Sequence, residues 1–262
     1  NRVVMKFFVY KESSAVTDYS SQNRLVTEYN IYSTLIDKIH KDNNGANFVR
    51  PIYRFMCPSK LIEEFKTIRA TATLGEQLQI LSGPDAKYVL CTITELRPRV
   101  TSLFDYLMLN SPYALPAEDL PAIFLQLIHA LYICQHYKLQ HNDLHLDNIL
   151  VEFFPDETQI NYRSIDMDGR EHAFILNLQD MKIPAKIMLF DWDYATSEDI
   201  PNTGLAGTCR HIGRCPDLQP GLDLYYVLRD IQRNISMLSP NHQKTVKTVL
   251  DTVITRKDVV KE

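Results

Sequence analysis

The segment from His141 to Val151 constrains this chain more than any other. It reads His-Asn-Asp-Leu-His-Leu-Asp-Asn-Ile-Leu-Val, so Asp143 is followed five residues later by Asn148 and then by three β-forming residues. A carboxylate in such a loop can accept the proton of an incoming hydroxyl, and an amide oxygen can hold a metal ion bound to phosphates. The apolar run behind the pair predicts a short strand that fixes both side chains. The segment therefore predicts a phosphoryl-transfer loop.

Length and composition indicate a folded chain with two lobes or one large domain. The chain has 262 residues, 45% hydrophobic and 23% charged, as is ordinary for globular proteins. The net charge of -4 argues against broad nucleic-acid binding. No apolar run approaches the ~18 residues of a membrane span, so we expect no transmembrane segment. The five cysteines are an odd, widely spaced set, which predicts a reducing intracellular compartment.

The first part of the chain is predicted to be rich in β-structure. Residues Val3–Tyr10 and Tyr88–Thr94 are β-branched and aromatic, which predicts strands. Between them, the spacing of apolar residues from Arg24 to Ile39 predicts a helix. Residues 11–23 are polar and predict a loop, whereas residues 65–81 are ambiguous between structures.

The second part is predicted to be mainly helical. Arg97-Pro98-Arg99 breaks the strand pattern, and we place the boundary between the two parts there. Helices are expected at residues 101–109, 121–137, 222–238 and 243–253, strands at 173–178 and 187–190, and a loop-rich stretch at 204–221.

Further candidate functional residues follow the order that a phosphotransferase needs. Lys6 lies in the first strand, and Glu28 lies on the first helix, where it could pair with Lys6. Thr94 ends the last strand of the first part, Asp191 follows an apolar strand, and Asp223 opens a helix. A single lysine or glutamate is usually a solvated surface residue. Because these residues occur in this order together with the loop at His141, a functional role is favoured for them.

Taken together, these motifs resemble the eukaryotic protein-kinase-like fold from Val4 to about Leu238. The resemblance implies an α+β, bilobal protein-kinase-like fold. Its small β-rich N-lobe, lacking the first strands, would comprise residues 1–96, and its mainly helical C-lobe residues 97–262. The segment between Asn148 and Asp191 is about thirty residues longer than is usual in the family. We expect an inserted hairpin at about 152–186.

The same resemblance implies a role for each candidate residue. Lys6 resembles the strand lysine that holds nucleotide phosphates, and Glu28 resembles its helix partner. Asp143 resembles the catalytic base, while Asn148 and Asp191 resemble the ligands of Mg²⁺. The adenine of ATP is expected to contact Thr94 as gatekeeper, Glu95 and Arg97 through backbone groups, and Leu150 beneath the ring. Asp223 resembles the buried aspartate that anchors the catalytic loop, and His141 is expected to orient that loop.

Several residues depart from the family pattern. Asn142 replaces the arginine of H-R-D, Trp192-Asp193 replaces Phe-Gly, and His145 stands where Ser/Thr kinases usually carry a lysine. The Gly-rich phosphate loop is absent, and because the chain opens on Asn1 we expect that sequence is missing in front. Since a short neutral asparagine cannot bind phosphate bidentately, we expect activity without phosphorylation of the activation segment.

These departures, with Leu189-Phe190-Asp191-Trp192-Asp193, resemble the divergent kinases of large cytoplasmic DNA viruses, and most of all the poxvirus serine/threonine kinases of virion assembly. The resemblance implies an ATP-dependent kinase acting on Ser or Thr, with Mg²⁺, or alternatively Mn²⁺, as metal. Its substrates would be viral structural or membrane proteins, and its location the host cytoplasm and the virion.

Two other classes of function remain open. The loop also resembles H-x-D-L-H of aminoglycoside-type and choline-type phosphotransferases, which act on small molecules. A pseudokinase scaffold is suggested by the missing Gly-rich loop and by Trp192-Asp193. An acceptor screen would distinguish the first alternative, and the upstream sequence would bear on the second.

One cysteine pair raises the question of a zinc site. Cys209 and Cys215 flank His211, but a closed structural site needs four ligands and no second pair lies nearby. We expect no zinc there. Arg210, His211 and Arg214 are instead predicted to form a small basic patch beside the active cleft, or a solvated loop.

Overall fold

The computed structural model describes residues 2–10, 24–58, 88–108, 116–165 and 168–254. The loop predicted at 11–23 and the ambiguous segment at 65–81 lie outside the described residues.

The first part of the chain forms a three-stranded antiparallel sheet. Its strands are β1 (Arg2–Tyr10), β2 (Pro51–Pro58) and β3 (Tyr88–Leu96), in the order β1-β3-β2. The central β3 matches the β-branched run predicted at 88–94. In the register of β1 and β3, Lys6 lies opposite Thr92. Lys6 therefore lies in the middle of β1, which pairs with β3, the central strand of the sheet.

One continuous helical run packs beside this sheet. It consists of α1 (Arg24–Asn30), a π-helical segment (Ile31–Ile36) and α2 (Asp37–Lys41). The helix predicted from Arg24 is confirmed, but its π-helical middle was not predicted. The hydroxyls of Ser33 and Thr34 both donate to the Asn30 carbonyl, at 2.9 and 2.6 Å, and such bonds compete with the regular helical ladder.

The second part of the chain is mainly helical, as predicted. Its helices are α3 (Leu103–Leu107), α4 (Leu120–His136), α5 (Ala206–Ile212), α6 (Leu222–Asn234) and α7 (Pro240–Ile254). The predicted α+β class is thus confirmed. Helix α5 lies within the stretch predicted to be loop-rich, and it was not predicted from the sequence. This short helix contains Gly207, a poor helix former, so its sequence carries little helical signal.

Helix α4 is the central helix of this part. The expectation that no apolar run approaches the length of a membrane span is wrong. Within the described residues, the run Ala117–His136 is long and apolar enough to cross a membrane, and 56% of its apolar 18-residue stretch is buried in the fold. Leu120, Ile123, Leu127 and Ile133 are all buried. Packing in the protein core accounts for their apolar character.

Short strands position the catalytic-loop segment. A three-stranded sheet has the order β4-β6-β9, with β4 at Val100–Ser102, β6 at Ile149–Phe153 and β9 at Ala185–Leu189. Ile149 lies opposite Leu189 in the antiparallel register. The residue before β6, Asn148, and the residue after β9, Phe190, are therefore neighbours. A two-stranded ladder joins β5 (Leu139–Gln140) to β10 (Thr196–Ser197).

The segment between β6 and β9 contains an antiparallel pair, β7 (Gln159–Ile165) and β8 (Glu171–Asn177). This pair packs on α4. The Ile165 N–H donates to the Tyr132 hydroxyl at 2.6 Å, and the His129 ring nitrogen Nε2 lies 3.0 Å from the Arg163 carbonyl. Ile160 and Tyr162 are buried. One face of β7 is consequently part of the core.

Candidate active site

A cavity of about 540 Å³ lies between the first sheet and the β6–β9 pair. This volume falls in the range of small-molecule sites, about 300–1,000 Å³. The residues in its wall include these predicted ones: Lys6, Glu28, Thr94, Glu95, Arg97, Leu150 and Asp191. The fold therefore brings together side chains that lie far apart in the sequence.

Lys6 joins three elements at this cavity. Its Nζ lies 2.9 Å from Glu28 Oε2 on α1 and 2.5 Å from Asp191 Oδ1 beyond β9. Burial opposes the charged amine, but the two carboxylates outweigh it and raise the pKa of Lys6. The lysine is thus a fixed cation, held between a helix and the candidate metal residue.

Glu28 is buried, with 1% of its surface exposed. Burial raises its pKa from the ordinary value of 4.5 to about 7, and the positive charge of Lys6 opposes that rise. The charge of Glu28 therefore depends on its ion pair with Lys6, because an isolated carboxylate is costly to bury.

Asp143 and Asn148 are joined within the catalytic loop. The Asn148 side-chain nitrogen donates to the Asp143 carbonyl at 2.9 Å. Because a carbonyl can only accept, this bond uses the amide nitrogen of Asn148 and not its amide oxygen. Phe190 N–H donates to the Asn148 carbonyl at 3.3 Å. Asn148 consequently connects Asp143 to the residue that precedes Asp191.

Asp223, at the start of α6, anchors the backbone of the loop. One carboxylate oxygen accepts from His141 N–H at 2.7 Å and the other from Asn142 N–H at 2.8 Å. Burial raises the pKa of Asp223, while His141 and these two donors oppose the rise. His141 Nε2 also lies 2.8 Å from the Phe190 carbonyl. The expectation that Asp223 anchors the loop is confirmed.

Asn142 ties the loop to the activation segment, which we define as residues 191–223. Its side-chain nitrogen donates to the Tyr194 carbonyl at 3.2 Å and to the Cys215 carbonyl at 3.1 Å. Its amide oxygen accepts from the side chain of Gln140. Asn142 is fully buried and has a left-handed backbone, with φ 65°. Asparagine adopts that conformation more readily than most residues.

Arg214 pairs with the candidate base. Its Nη2 donates to Asp143 Oδ1, and its guanidinium carbon lies 3.9 Å from the centroid of the Tyr194 ring. The sequence placed Arg214 beside the cleft but did not predict this pair. The two residues are 71 positions apart, so only the tertiary fold brings them together. The side chains of Arg210 and His211 lie outside the described residues.

A disulfide joins Cys209 to Cys215 in the activation segment. The cysteine pattern predicted a reducing compartment, where disulfides are rare, and it did not predict this bond. Helix α5 ends at Gly213, whose φ of 75° reverses the chain, and the two Cα atoms come within 4.3 Å. Their sulfurs are bonded to each other. Cys57, Cys91 and Cys134 are free thiols.

The residues predicted to contact adenine lie along β3 and β6. Glu95 N–H donates to the Arg50 carbonyl at 3.1 Å, so among its backbone groups only the carbonyl could serve adenine. The Arg97 guanidinium lies 3.0 Å from Glu95 Oε2. Thr94 is opposite Val4 in the β1–β3 register. Leu150 lines the cavity from β6.

The donor set at the end of β9 fits a magnesium ion bound to nucleotide. Within the described residues, no group of three or more His, Cys, Asp and Glu could hold a metal. Mg²⁺ in nucleotide sites usually takes one or two protein oxygens and completes its shell with phosphates and water. The Asp191 carboxylate and the Asn148 amide oxygen match that requirement. Asp191 has a left-handed φ of 66°, and such backbone strain is common at functional sites.

No protein-family model and no curated protein matches this chain. Among solved structures, the chain is similar to the Rio2 kinase of Chaetomium thermophilum in its ADP/Mg²⁺-phosphoaspartate complex, with a TM-score of 0.37 and 12% identity. The match covers 96% of this chain, which spans only 55% of that protein's length.

Proposed function

We propose that this protein is a kinase that transfers the γ-phosphoryl group of ATP to Ser or Thr hydroxyls of proteins. The observation that carries the proposal is the position of Lys6, which contacts Glu28 and Asp191 at one cavity. The loop that carries Asp143 is bonded to the same β6–β9 pair through Asn148. The cation Lys6, the candidate metal ligand Asp191 and the candidate base Asp143 are thereby all connected to the β6–β9 pair.

Each residue has a separate task in this proposal. Lys6, held by Glu28, would orient the phosphates, and Asn148 with Asp191 would hold Mg²⁺. ATP with Mg²⁺ would supply the phosphoryl group and neutralise its charge. Asp143 would accept the proton of the acceptor hydroxyl. Positioning and charge stabilisation would supply most of the rate, because phosphoryl transfer needs little covalent chemistry from the protein.

The replacement Asp143→Asn tests the proposal. It should leave ATP binding nearly intact and reduce transfer about 100-fold or more, the usual contribution of a general base. Transfer from radiolabelled ATP to mixed protein substrates and nucleotide-induced thermal shifts are the two measurements. The matched control is Asp147→Asn, because Asp147 is an exposed aspartate in the same loop.

Near wild-type transfer by Asp143→Asn would contradict the role of Asp143 as base. The same assay includes amino sugars, choline and nucleosides as acceptors. Transfer to one of these, with none to proteins, would replace the protein-kinase proposal by a small-molecule phosphotransferase. ATP binding without transfer to any acceptor would favour the scaffold.

The narrower role is inferred from the sequence resemblance alone. In this inference the protein is a poxvirus-type kinase of virion assembly, acts in the host cytoplasm and the virion, and phosphorylates viral structural or membrane proteins. Quantitative mass spectrometry of purified virions would test this location. Absence of the chain from virions, with abundant chain in the infected cytoplasm, would contradict the virion assignment.

A further inference from the structure

A second cavity, of about 290 Å³, has Asp143 in its wall. Three arginines share that wall, and they are Arg214, Arg229 and Arg233. Lys6 does not line this cavity; it lines the larger cavity described above. The proposed base therefore faces a basic cavity that is separate from the proposed nucleotide cavity.

Two of these arginines have no acidic partner among the residues that the structure describes. Arg229 and Arg233 are four residues apart on α6, so they lie on the same face of the helix. The Arg229 guanidinium carbon lies 4.9 Å from the Tyr226 ring centroid, and its Nε is buried without a hydrogen-bond partner. No carboxylate oxygen of the described residues comes within the 4.0 Å ion-pair distance of either arginine. The contact with Tyr226 positions Arg229 without neutralising it.

The two acidic residues of the cavity are already engaged. Asp143 is paired with Arg214. One Asp230 oxygen accepts from Leu146 N–H at 2.9 Å, and the other accepts from the Asn234 amide at 3.1 Å. Asp230 thus holds the catalytic loop rather than an arginine. The positive charges of Arg229 and Arg233 remain available to a ligand.

We propose that this cavity is the acceptor site and that it selects a peptide with a carboxylate or phosphate group close to the acceptor hydroxyl. The proposal rests on the kinase function above and specifies its substrate class. The planar guanidinium group binds either anion through two parallel hydrogen bonds. Basic peptides, amino sugars and choline would be repelled by the same arginines.

A set of peptides that differ in one residue tests the proposal. Each carries a single Ser, and a Glu, phosphoserine, Gln or Lys residue is moved one position at a time around it. We expect kcat/KM to be about tenfold or more higher for an anionic peptide than for its Gln counterpart at the best position, as for one charge-assisted pair. The Lys peptides should be the poorest.

Charge reversal assigns the preference to the cavity. Arg233→Glu alters an exposed residue, and it should abolish the preference for anionic peptides or reverse it toward Lys. The matched control is Arg163→Glu, an exposed arginine on β7, which should retain the wild-type preference. A rise in the KM for ATP alone in Arg233→Glu would assign Arg233 to the nucleotide and overturn the proposal.

A binding measurement separates this proposal from the kinase proposal. The anionic peptide with Ala in place of Ser is labelled, and its affinity is measured by fluorescence anisotropy. Binding that needs Arg233, without transfer to any Ser peptide, would support the anion site and defeat the kinase. Transfer that is equal for Glu, phosphoserine and Gln peptides would support the kinase and overturn the anion site. A preference for phosphoserine over Glu, or the converse, supports the site and identifies the anion.

Discussion

At the scale of single residues, the two contacts of Lys6 have different physical meanings. The Glu28 partner is buried, whereas Asp191 has 34% of its side chain exposed. A partly exposed carboxylate can exchange a lysine partner for a metal ion at lower cost than a buried one. In the proposed kinase, Glu28 is therefore suited to fix the lysine, and Asp191 to exchange the lysine for a metal ion.

The replacement Asp191→Ala should remove most of the Mg²⁺-dependent part of nucleotide binding, since a charged metal ligand is lost. Thermal shifts measured with ATP, in the presence and absence of Mg²⁺, would show this loss. Asp199→Ala, at an exposed position of the same segment, is the control. An Mg-ATP shift equal to that of wild type would rule out Asp191 as the metal ligand.

The buried Glu28 predicts a specific dependence of stability on pH. Its pKa is about 7 in the folded chain, against an ordinary value of 4.5, so the folded state binds the proton more tightly. The stability from this proton is fully present below about pH 4.5 and is lost as pH rises to about 7. The loss should be about 3 kcal/mol, because each tenfold change in proton affinity corresponds to about 1.4 kcal/mol.

Glu28→Gln cannot titrate and should lack this dependence. The free energy of unfolding of both proteins is measured from pH 4 to 8. The difference between wild type and variant at each pH reports the titration of Glu28 alone. We expect the advantage of wild type over the variant to shrink between about pH 4.5 and 7 and to be constant above that range. Parallel curves for the two proteins would show that Glu28 does not titrate in this range.

At the scale of elements, the activation segment is held by direct hydrogen bonds. Asn142 binds the carbonyls of Tyr194 and Cys215, and the Thr196 hydroxyl donates to the Pro216 carbonyl at 2.7 Å. The disulfide of Cys209 closes the loop that carries Arg214. A phosphate group is not needed to make any of these contacts.

We therefore expect fully dephosphorylated protein to show a linear initial rate from the first time point. The only Ser and Thr hydroxyls of the segment are those of Thr196, Ser197, Thr203 and Thr208. Complete dephosphorylation, checked by mass, and initial-rate measurements would test this expectation. A lag that disappears after autophosphorylation of one of these residues would contradict it.

The variant Asn142→Gly tests the bonds themselves. Glycine tolerates the left-handed backbone of this position, so only the side-chain contacts are lost. Transfer should fall while nucleotide binding is retained, because Asn142 lines the proposed acceptor cavity and not the proposed nucleotide cavity. Asn142→Ala would add backbone strain to the same loss, and its lower stability provides the comparison. An unchanged rate in the glycine variant would show that these bonds do not order the segment.

At the scale of the whole molecule, Asn47 connects separate parts of the fold. Its side-chain nitrogen donates to the Ile187 carbonyl at 2.9 Å and approaches Gln126 at 3.3 Å. Its oxygen accepts from the Tyr162 hydroxyl on β7 at 3.0 Å. The buried amide of Asn47, which follows α2 in the chain, therefore contacts three other elements: α4, β9 and β7.

Tyr162→Phe should destabilise the chain by about 1–3 kcal/mol, because it leaves the buried Asn47 oxygen without its donor. Chemical unfolding of the variant and of Tyr53→Phe, at a tyrosine that is 62% exposed, would measure the effect. If both variants unfold at the same denaturant concentration as wild type, Tyr162 contributes nothing through this bond.

The sequence by itself determined the local features of this protein. Period and composition predicted β1, β3, α1 and α4, because a strand or helix that buries one face repeats its apolar residues at a fixed spacing. The order of Lys6, Glu28, Asp143, Asn148 and Asp191 predicted the candidate site. The resemblance to protein kinases implied that Asp223, at the start of α6, anchors the loop.

Only the tertiary structure decided the contacts between distant segments. The Arg214–Asp143 pair, the Cys209–Cys215 disulfide and the cavity with Arg229 and Arg233 leave no periodic trace in the sequence. Such contacts depend on how loops and helices pack against one another. The same local sequence pattern is compatible with many tertiary arrangements. Helix α5 and the π-helical turn were missed for a related reason. Their residues have weak local preferences, and the surrounding packing and hydrogen bonds select their conformation.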